Sequence, residues 1–221
     1  MKKSILKSGS ILFLMLSSCA PMYVPNVINT ALLKNQGEIQ MSVYTGTAGI
    51  DPQFAFAITD HIGIMANGSF ADRSDTTGDF HKHTFVEFGA GYFENIGGNG
   101  VVEVYGGYGF GKLEASFNSD EIWTSYANVT SNRIFLQPSI GLTTSVADIA
   151  FSPRLCYVTV SQESVTKSTL FFEPAITGKV GFKYVKFNGQ LGFSVPANGE
   201  YINYQPIMFS IGMQVFIGRN Y

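Results

Sequence analysis

Apolar side chains recur at every second position from Gly37 to the C-terminus. Ile39, Met41 and Val43 alternate with Gln40, Ser42 and Tyr44, and Phe54, Phe56 and Ile58 form the next apolar face. Ile62, Ile64, Ala66 and Phe70 make a third, Val86, Phe88, Ala90 and Tyr92 a fourth, and Val102, Val104, Tyr108 and Phe110 a fifth. The second half repeats the pattern over 134–142, 149–157, 170–176, 185–193 and 207–217. A period of two sets one face of each segment against an apolar medium. Most of these segments are close to the roughly 9–11 residues with which a tilted strand crosses a bilayer. The pattern predicts an all-β chain, an antiparallel transmembrane β-barrel of about ten strands, with eight as the alternative count.

The joints between segments fall into two kinds. Thr59-Asp60-His61, the stretch 95–100, Val146-Ala147-Asp148 and Lys183-Tyr184 read as tight turns. The joints 71–83, 116–131, 161–168 and 196–203 are longer and polar. Short turns on one rim and long loops on the other are expected of a barrel whose turns face the periplasm. An even strand count returns both ends of the barrel sequence to that same rim.

Parity also sorts the polar residues. Glu87, Glu103, Arg154 and Glu173, with Gln137, Asn188, Gln190 and Gln214, all fall opposite the apolar faces. Arg or Lys on the lipid side near mid-bilayer costs about 2–4 kcal/mol, so this segregation has a physical cause. The four charges form the candidate lumen network, read as a structural plug rather than an acid/base or ion path. Its excess of carboxylates calls for a protonated acid or a further cation, Lys112 or Lys179. Tyr44, Tyr105, Phe135, Phe171 and Phe216 also point inward and would close the lumen. Pro138, Pro153 and Pro174 sit on the apolar parity of inner strands, where a missing N–H predicts bulges or register irregularities.

The first residues follow another logic. Lys2, Lys3 and Lys7 precede a short apolar run, 11–16, too short to span a bilayer as a helix. The run ends in Leu16-Ser17-Ser18-Cys19, which resembles the lipobox of bacterial lipoproteins. That resemblance implies a signal peptide over 1–18, lipidation at Cys19, and a lipidated periplasmic tether over 19–36 leading into a barrel over 37–221. The tether is read as extended; Val24, Val27, Ile28, Ala31 and Leu32 fall at helical spacing, so a short interfacial helix is the alternative.

Composition narrows the classes. Charged residues make up 14% of the 221 and the formal charge is −2, so no basic patch for nucleic acid is present. Gly (24), Phe (19) and Tyr (11) are abundant, as suits a membrane barrel. Of the two cysteines, lipid claims Cys19, leaving Cys156 without a disulfide partner.

Thr59-Asp60-His61-Ile62-Gly63, lying between two alternating strands, resembles the first periplasmic turn of small outer-membrane barrels of the OmpA/OmpX-like kind. Tyr23-Val24-Pro25-Asn26, Leu32-Leu33 and Gly37-Glu38-Ile39-Gln40 resemble the leading segment of Bacteroidota-type outer-membrane barrel lipoproteins. The likeness implies a fold and the bacterial outer membrane, with the N-terminal lipid on the periplasmic side. It carries over no catalytic residue.

Three loop features remain. His81 and His83, close to Asp72, Asp75 and Asp79, are weak metal candidates, and an Asp–His pair at this rim resembles the omptin proteases. Asp75-Thr76-Thr77 resembles a Bacteroidota O-glycosylation site. Trp123 and Tyr126 form an aromatic pair suited to loop contact or to the interfacial belt. Gly106-Gly107-Tyr108-Gly109-Phe110-Gly111 precedes no helix, so its glycines read as room for packing rather than a phosphate loop.

The functional expectation is a non-enzymatic barrel lipoprotein with a filled lumen and no cofactor. Its partners would be outer-membrane lipid and another envelope protein or a surface glycan. The alternatives are a rim enzyme, omptin-like or lipid-modifying, using Asp and His of the first long loop, and a lipocalin-like periplasmic carrier.

Overall fold

The computed structural model describes residues 21–74, 80–119 and 122–221. The signal region, Cys19, Asp75, Thr76, Thr77 and Asp79 lie outside them. Eleven strands appear among the described residues: β1 (Ile39–Gly46), β2 (Gly49–Ala57), β3 (Ile62–Ser74), β4 (Phe80–Asn95), β5 (Gly100–Ser119), β6 (Ile122–Thr143), β7 (Ala147–Gln162), β8 (Val165–Gly181), β9 (Val185–Phe193), β10 (Val195–Gly199) and β11 (Ile207–Ile217). Each pairs antiparallel with its neighbours, and the sheet closes through β8–β9, β9–β11 and β11–β1. β10 also runs along β8, beyond the end of β9, so β9 and β10 are one wall strand interrupted at Ser194. The wall therefore has ten strands.

Alternation explains why these segments are strands and which way they face. Phe88, Phe110, Ile134, Leu142, Ile149 and Phe187 lie exposed on the outer surface, while Tyr44, Tyr105, Phe135, Phe171 and Phe216 are buried inside. An outer face this apolar fits hydrocarbon, and edge-free closure satisfies the backbone without water. The molecule is an outer-membrane-type β-barrel. No helix among the described residues is long and apolar enough to cross a membrane.

The tight turns lie where the sequence places them, but three of the long joints do not form the expected loops. β3 and β4 continue their ladder up to Ser74 and Phe80, and β7 and β8 are joined through Glu163 and Ser164 alone. β5 and β6 contain 20 and 22 residues, about twice the crossing length. Outside the bilayer both faces can be polar, so the alternation fades while the hydrogen-bond ladder continues. β1 and β2, by contrast, have 8 and 9 residues, and the wall there is low.

The three prolines are on the outer face without shifting the register. β6 pairs Leu136 with Leu155 and resumes, in the same register, at Ile140 with Phe151. Pro138 thus stands opposite Pro153, and the ladder lapses between them because neither has an N–H. Pro153 in turn pairs with Pro174. Behind the lapse the Ser152 hydroxyl donates to the Ser139 hydroxyl at 2.9 Å. The register shifts that do occur lie elsewhere, between Leu113 and Ala115 and between Pro196 and Asn198.

The segment 21–36 departs most from expectation. It is extended, without a helix, and is not a periplasmic tether: it runs inside the barrel. Ile28, Ala31, Leu32 and Leu33 have no exposed surface. Met22 and Tyr23 accompany Asn203 and Tyr204, in the joint ahead of β11 on the hairpin rim. Lys34, Asn35 and Gln36 reach Glu38, Gly218 and Asp60 at the turn rim. The segment's N-terminal end is therefore on the side opposite to that expected for the lipid anchor.

Candidate functional site

The lumen holds its occupant mainly by the main chain. Six consecutive carbonyls, from Val27 to Leu32, each accept a hydrogen bond from an inward side chain. The Gln53 amide donates to Val27 O, Gln190 to Ile28 O and Gln137 to Asn29 O, each at 2.8 Å. Lys179 Nζ donates to Thr30 O at 2.7 Å, and Arg219 Nη2 to Ala31 O and Leu32 O at 3.1 and 2.9 Å. Two N–H groups are met as well: Ile28 donates to Gln190 Oε1 and Leu32 to Glu103 Oε2, both at 2.8 Å. Gln190 thus grips Ile28 by both of its backbone polar groups. At Leu32 the backbone turns left-handed, φ 50°, a conformation costly for a residue with a Cβ and held here by Glu103 and Arg219. A buried extended segment needs such partners for its backbone polar groups.

Two charged clusters bracket this grip. Toward the hairpin rim, Arg133 pairs with Glu87, and Arg154 bridges Glu87 and Glu173 at 3.4 and 2.8 Å. The segment contributes side chains here. Tyr23 donates to Glu173 Oε1 at 2.6 Å and accepts from Arg133 at 2.9 Å. Asn26 Oδ1 accepts from both arginines, at 2.6 and 3.2 Å, while its amide reaches Glu87. Two carboxylates face two guanidiniums, so this cluster is neutral in charge.

Toward the turn rim, Arg219 pairs with Glu38 at 2.6 Å and with Asp148 at 3.4 Å, and Lys186 pairs with Asp148 at 2.7 Å. Lys179 and Glu103 complete a set of three acids and three cations around residues 30–32. Arg219 lies beyond β11. Burial works against its charge, but Glu38 and Asp148 outweigh that and hold its pKa above the ordinary arginine value.

Of the four expected network residues, Glu87, Arg154 and Glu173 meet. Glu103 lies apart, on Leu32. The extra cation of the first cluster is Arg133, in place of Lys112, which is exposed on the outer wall, or Lys179, which bonds the Thr30 carbonyl from β8. Arg133 shares the inward parity of Phe135 and Gln137, which was the available signal. The β5 glycines make its setting. A Cβ at Gly107 would come within 2.5 Å of the Phe135 ring, and one at Gly109 within 2.5 Å of the Phe85 ring. The space they leave lets the Phe85 ring lie 4.5 Å from the Arg133 guanidinium carbon.

His81 and His83 point into the lumen near its outer mouth, not into a solvated loop. His83 Nε2 is 2.9 Å from the Ser69 hydroxyl, and its Nδ1 is 2.9 Å from His81 Nε2. Asp72 is out on the surface beside Lys82, so it does not converge with the histidines. Among the described residues no group of three or more His, Cys, Asp and Glu is placed to hold a metal. Trp123 and Tyr126 fall in the β5–β6 hairpin, where the backbone pairs Asn118 with Trp123 and Ala115 with Tyr126; their side chains lie outside the description. Cys156 is buried, unpaired as a thiol, and donates to Glu173 at 3.2 Å. The Asp60 of the first tight turn accepts from Gln36 N at 2.8 Å, so this turn also anchors the segment.

No family profile and no curated protein matches the sequence. Among solved structures, the β-domain of the Bordetella autotransporter BrkA aligns with a TM-score of 0.38 and 10% identity, over 83% of this chain and all of that one.

Proposed function

We propose that this protein is a non-enzymatic outer-membrane lipoprotein, anchored through Cys19, whose barrel is closed by its own N-terminal segment. It acts as a structural or interaction element through what it presents at the outer rim. The observation that carries this reading is the run of six carbonyls, Val27 to Leu32, each bonded to a lumen side chain. A channel or a ligand carrier needs an open or exchangeable interior, whereas this one is occupied by a segment whose carbonyls from Val27 to Leu32 are taken. In the Ser69–His83–His81 chain the hydroxyl that would serve as nucleophile is buried, and His83 with it, which weighs against the rim-enzyme alternative. The tall β5–β6 hairpin, 20 and 22 residues in its two strands, is the element we assign to contact with another envelope protein or a glycan.

Planar-bilayer recording of the purified full-length protein tests the reading. Silence, or small irregular events, is expected. Steady, large, porin-like steps would overturn it and make transport the leading function.

A further inference from the structure

We infer that the barrel carries its own N-terminus from the turn rim to the outer face, so that the lipid on Cys19 is displayed at the cell surface and not in the periplasm. The inference rests on the lipoprotein reading for the lipid, but not for the direction of the chain.

Direction follows from the two ends of the segment. Gln36 N–H is fixed to Asp60 in the β2–β3 turn, and Asn95, where β4 ends at the same rim, donates to Lys34 O at 2.8 Å. At the other end, Met22 and Tyr23 both donate to Asn203 O, at 2.9 and 3.0 Å, and Gln205 donates back to Tyr23 O at 3.0 Å. Met22 lies beside Val160, Gln162 and Lys167 of the β7–β8 hairpin. Short turns face the periplasm in barrels of this type, so this end is the external one.

Distance makes the placement binding. From Met22 to Lys34 the extended chain reaches at most about 40 Å, of the order of a bilayer's full thickness. Cys19 is two residues ahead of Pro21, a span of at most about 7 Å. An anchor so close to the outer mouth cannot also lie in the inner leaflet while the lumen contacts persist.

The grip also explains how such a topology could be built. Main-chain carbonyls are bonded one by one, and residues 31–33 are fully buried, so a lipid-bearing chain could not slide through the finished pore. The sheet instead closes around the segment, with the β1–β11 pairing sealed over it.

The test places an epitope tag between Ala20 and Pro21 and, as a reference, the same tag between Lys183 and Tyr184 in a tight turn. Heat-modifiable migration on gels reports that each barrel is folded. Antibody binding to intact cells is expected for the first tag, and only after permeabilisation for the second. As a second route that adds no residues, Met22→Cys should react on intact cells with a maleimide bearing a polymer too large for porins. Gln36→Cys should not react until the cells are opened. Detection of the first tag or of Cys at 22 only after permeabilisation would overturn the inference. Incorporation of labelled fatty acid, lost in Cys19→Ala, is read on the same cells. A surface tag without that label supports the threading and overturns the lipid anchor alone.

Discussion

The two charged clusters do different work on the same segment. The one near the hairpin rim reads side chains: Tyr23 and Asn26 are wired into Arg133, Arg154, Glu87 and Glu173. The one near the turn rim reads main chain: Lys179, Arg219 and Glu103 meet backbone atoms of Thr30, Ala31 and Leu32. The first fixes identity and depth, because shifting the segment by one residue would put a different side chain among the arginines. The second fixes conformation and would bond any chain of suitable bulk that can make the left-handed turn at position 32. The division resembles a key with a toothed end and a plain shank. It also predicts that damage at the two ends will be unequal.

The largest effect is expected at the reading end. Arg154→Met leaves the buried Glu173 and part of Glu87 uncompensated, and should cost about 3–5 kcal/mol. It would appear as a lower unfolding temperature in detergent. Adding Glu173→Gln should restore much of the loss, and failure to do so would mean that the ion pair is not the cause. Arg219→Met removes bonds to two carbonyls and the ion-pair partner of Glu38, which keeps Gln40 and the Lys34 N–H as partners, for about 2–3 kcal/mol. Its distinctive sign should be protease cutting near residues 31–36 while the rest of the barrel stays resistant; Arg154→Met should instead loosen the Tyr23 end. Gln190→Leu, between the clusters, should cost about 1–2 kcal/mol and speed amide exchange at Ile28 specifically. Smallest is Tyr23→Phe, about 1 kcal/mol, since the ring still packs 4.8 Å from Phe171. If Tyr23→Phe and Arg219→Met proved equal, the division between reading and gripping ends would not hold.

The wall was legible because lipid imposes one rule on one parity. Ile39, Phe88, Ile134 and Phe187 declare an outer face, and Tyr105, Phe135 and Phe171 follow inside by elimination. The hairpins beyond the bilayer were not legible, because residues such as Lys82, Thr130 and Ser161 obey no single medium on either face. Arg133 was hidden by its place at the edge of a stretch read as loop. The occupied lumen was the hardest to see. Residues 21–36 are short of charge and mix Asn and Thr with Val, Ile and Leu, which suits a tether as well as a plug. The clue was on the wall: Gln53, Gln137 and Gln190 are inward amides for which the wall sequence offers few carbonyl partners. Their partners came from the one segment that had been placed outside.

The facing prolines have a mechanical consequence. Between Leu136–Leu155 and Ile140–Phe151 the two strands hold together by side chains, chiefly the Ser139–Ser152 hydroxyl pair, and not by the ladder. The β6–β7 seam therefore has a local soft spot, and a break along it would open the closed wall into one curved sheet edged by β6 and β7. The seam passes behind the lumen segment, whose Asn29 carbonyl is held by Gln137 on one lip. With Arg154 on the other lip bonded to Asn26, the plug doubles as an internal splint across this local lapse in the ladder.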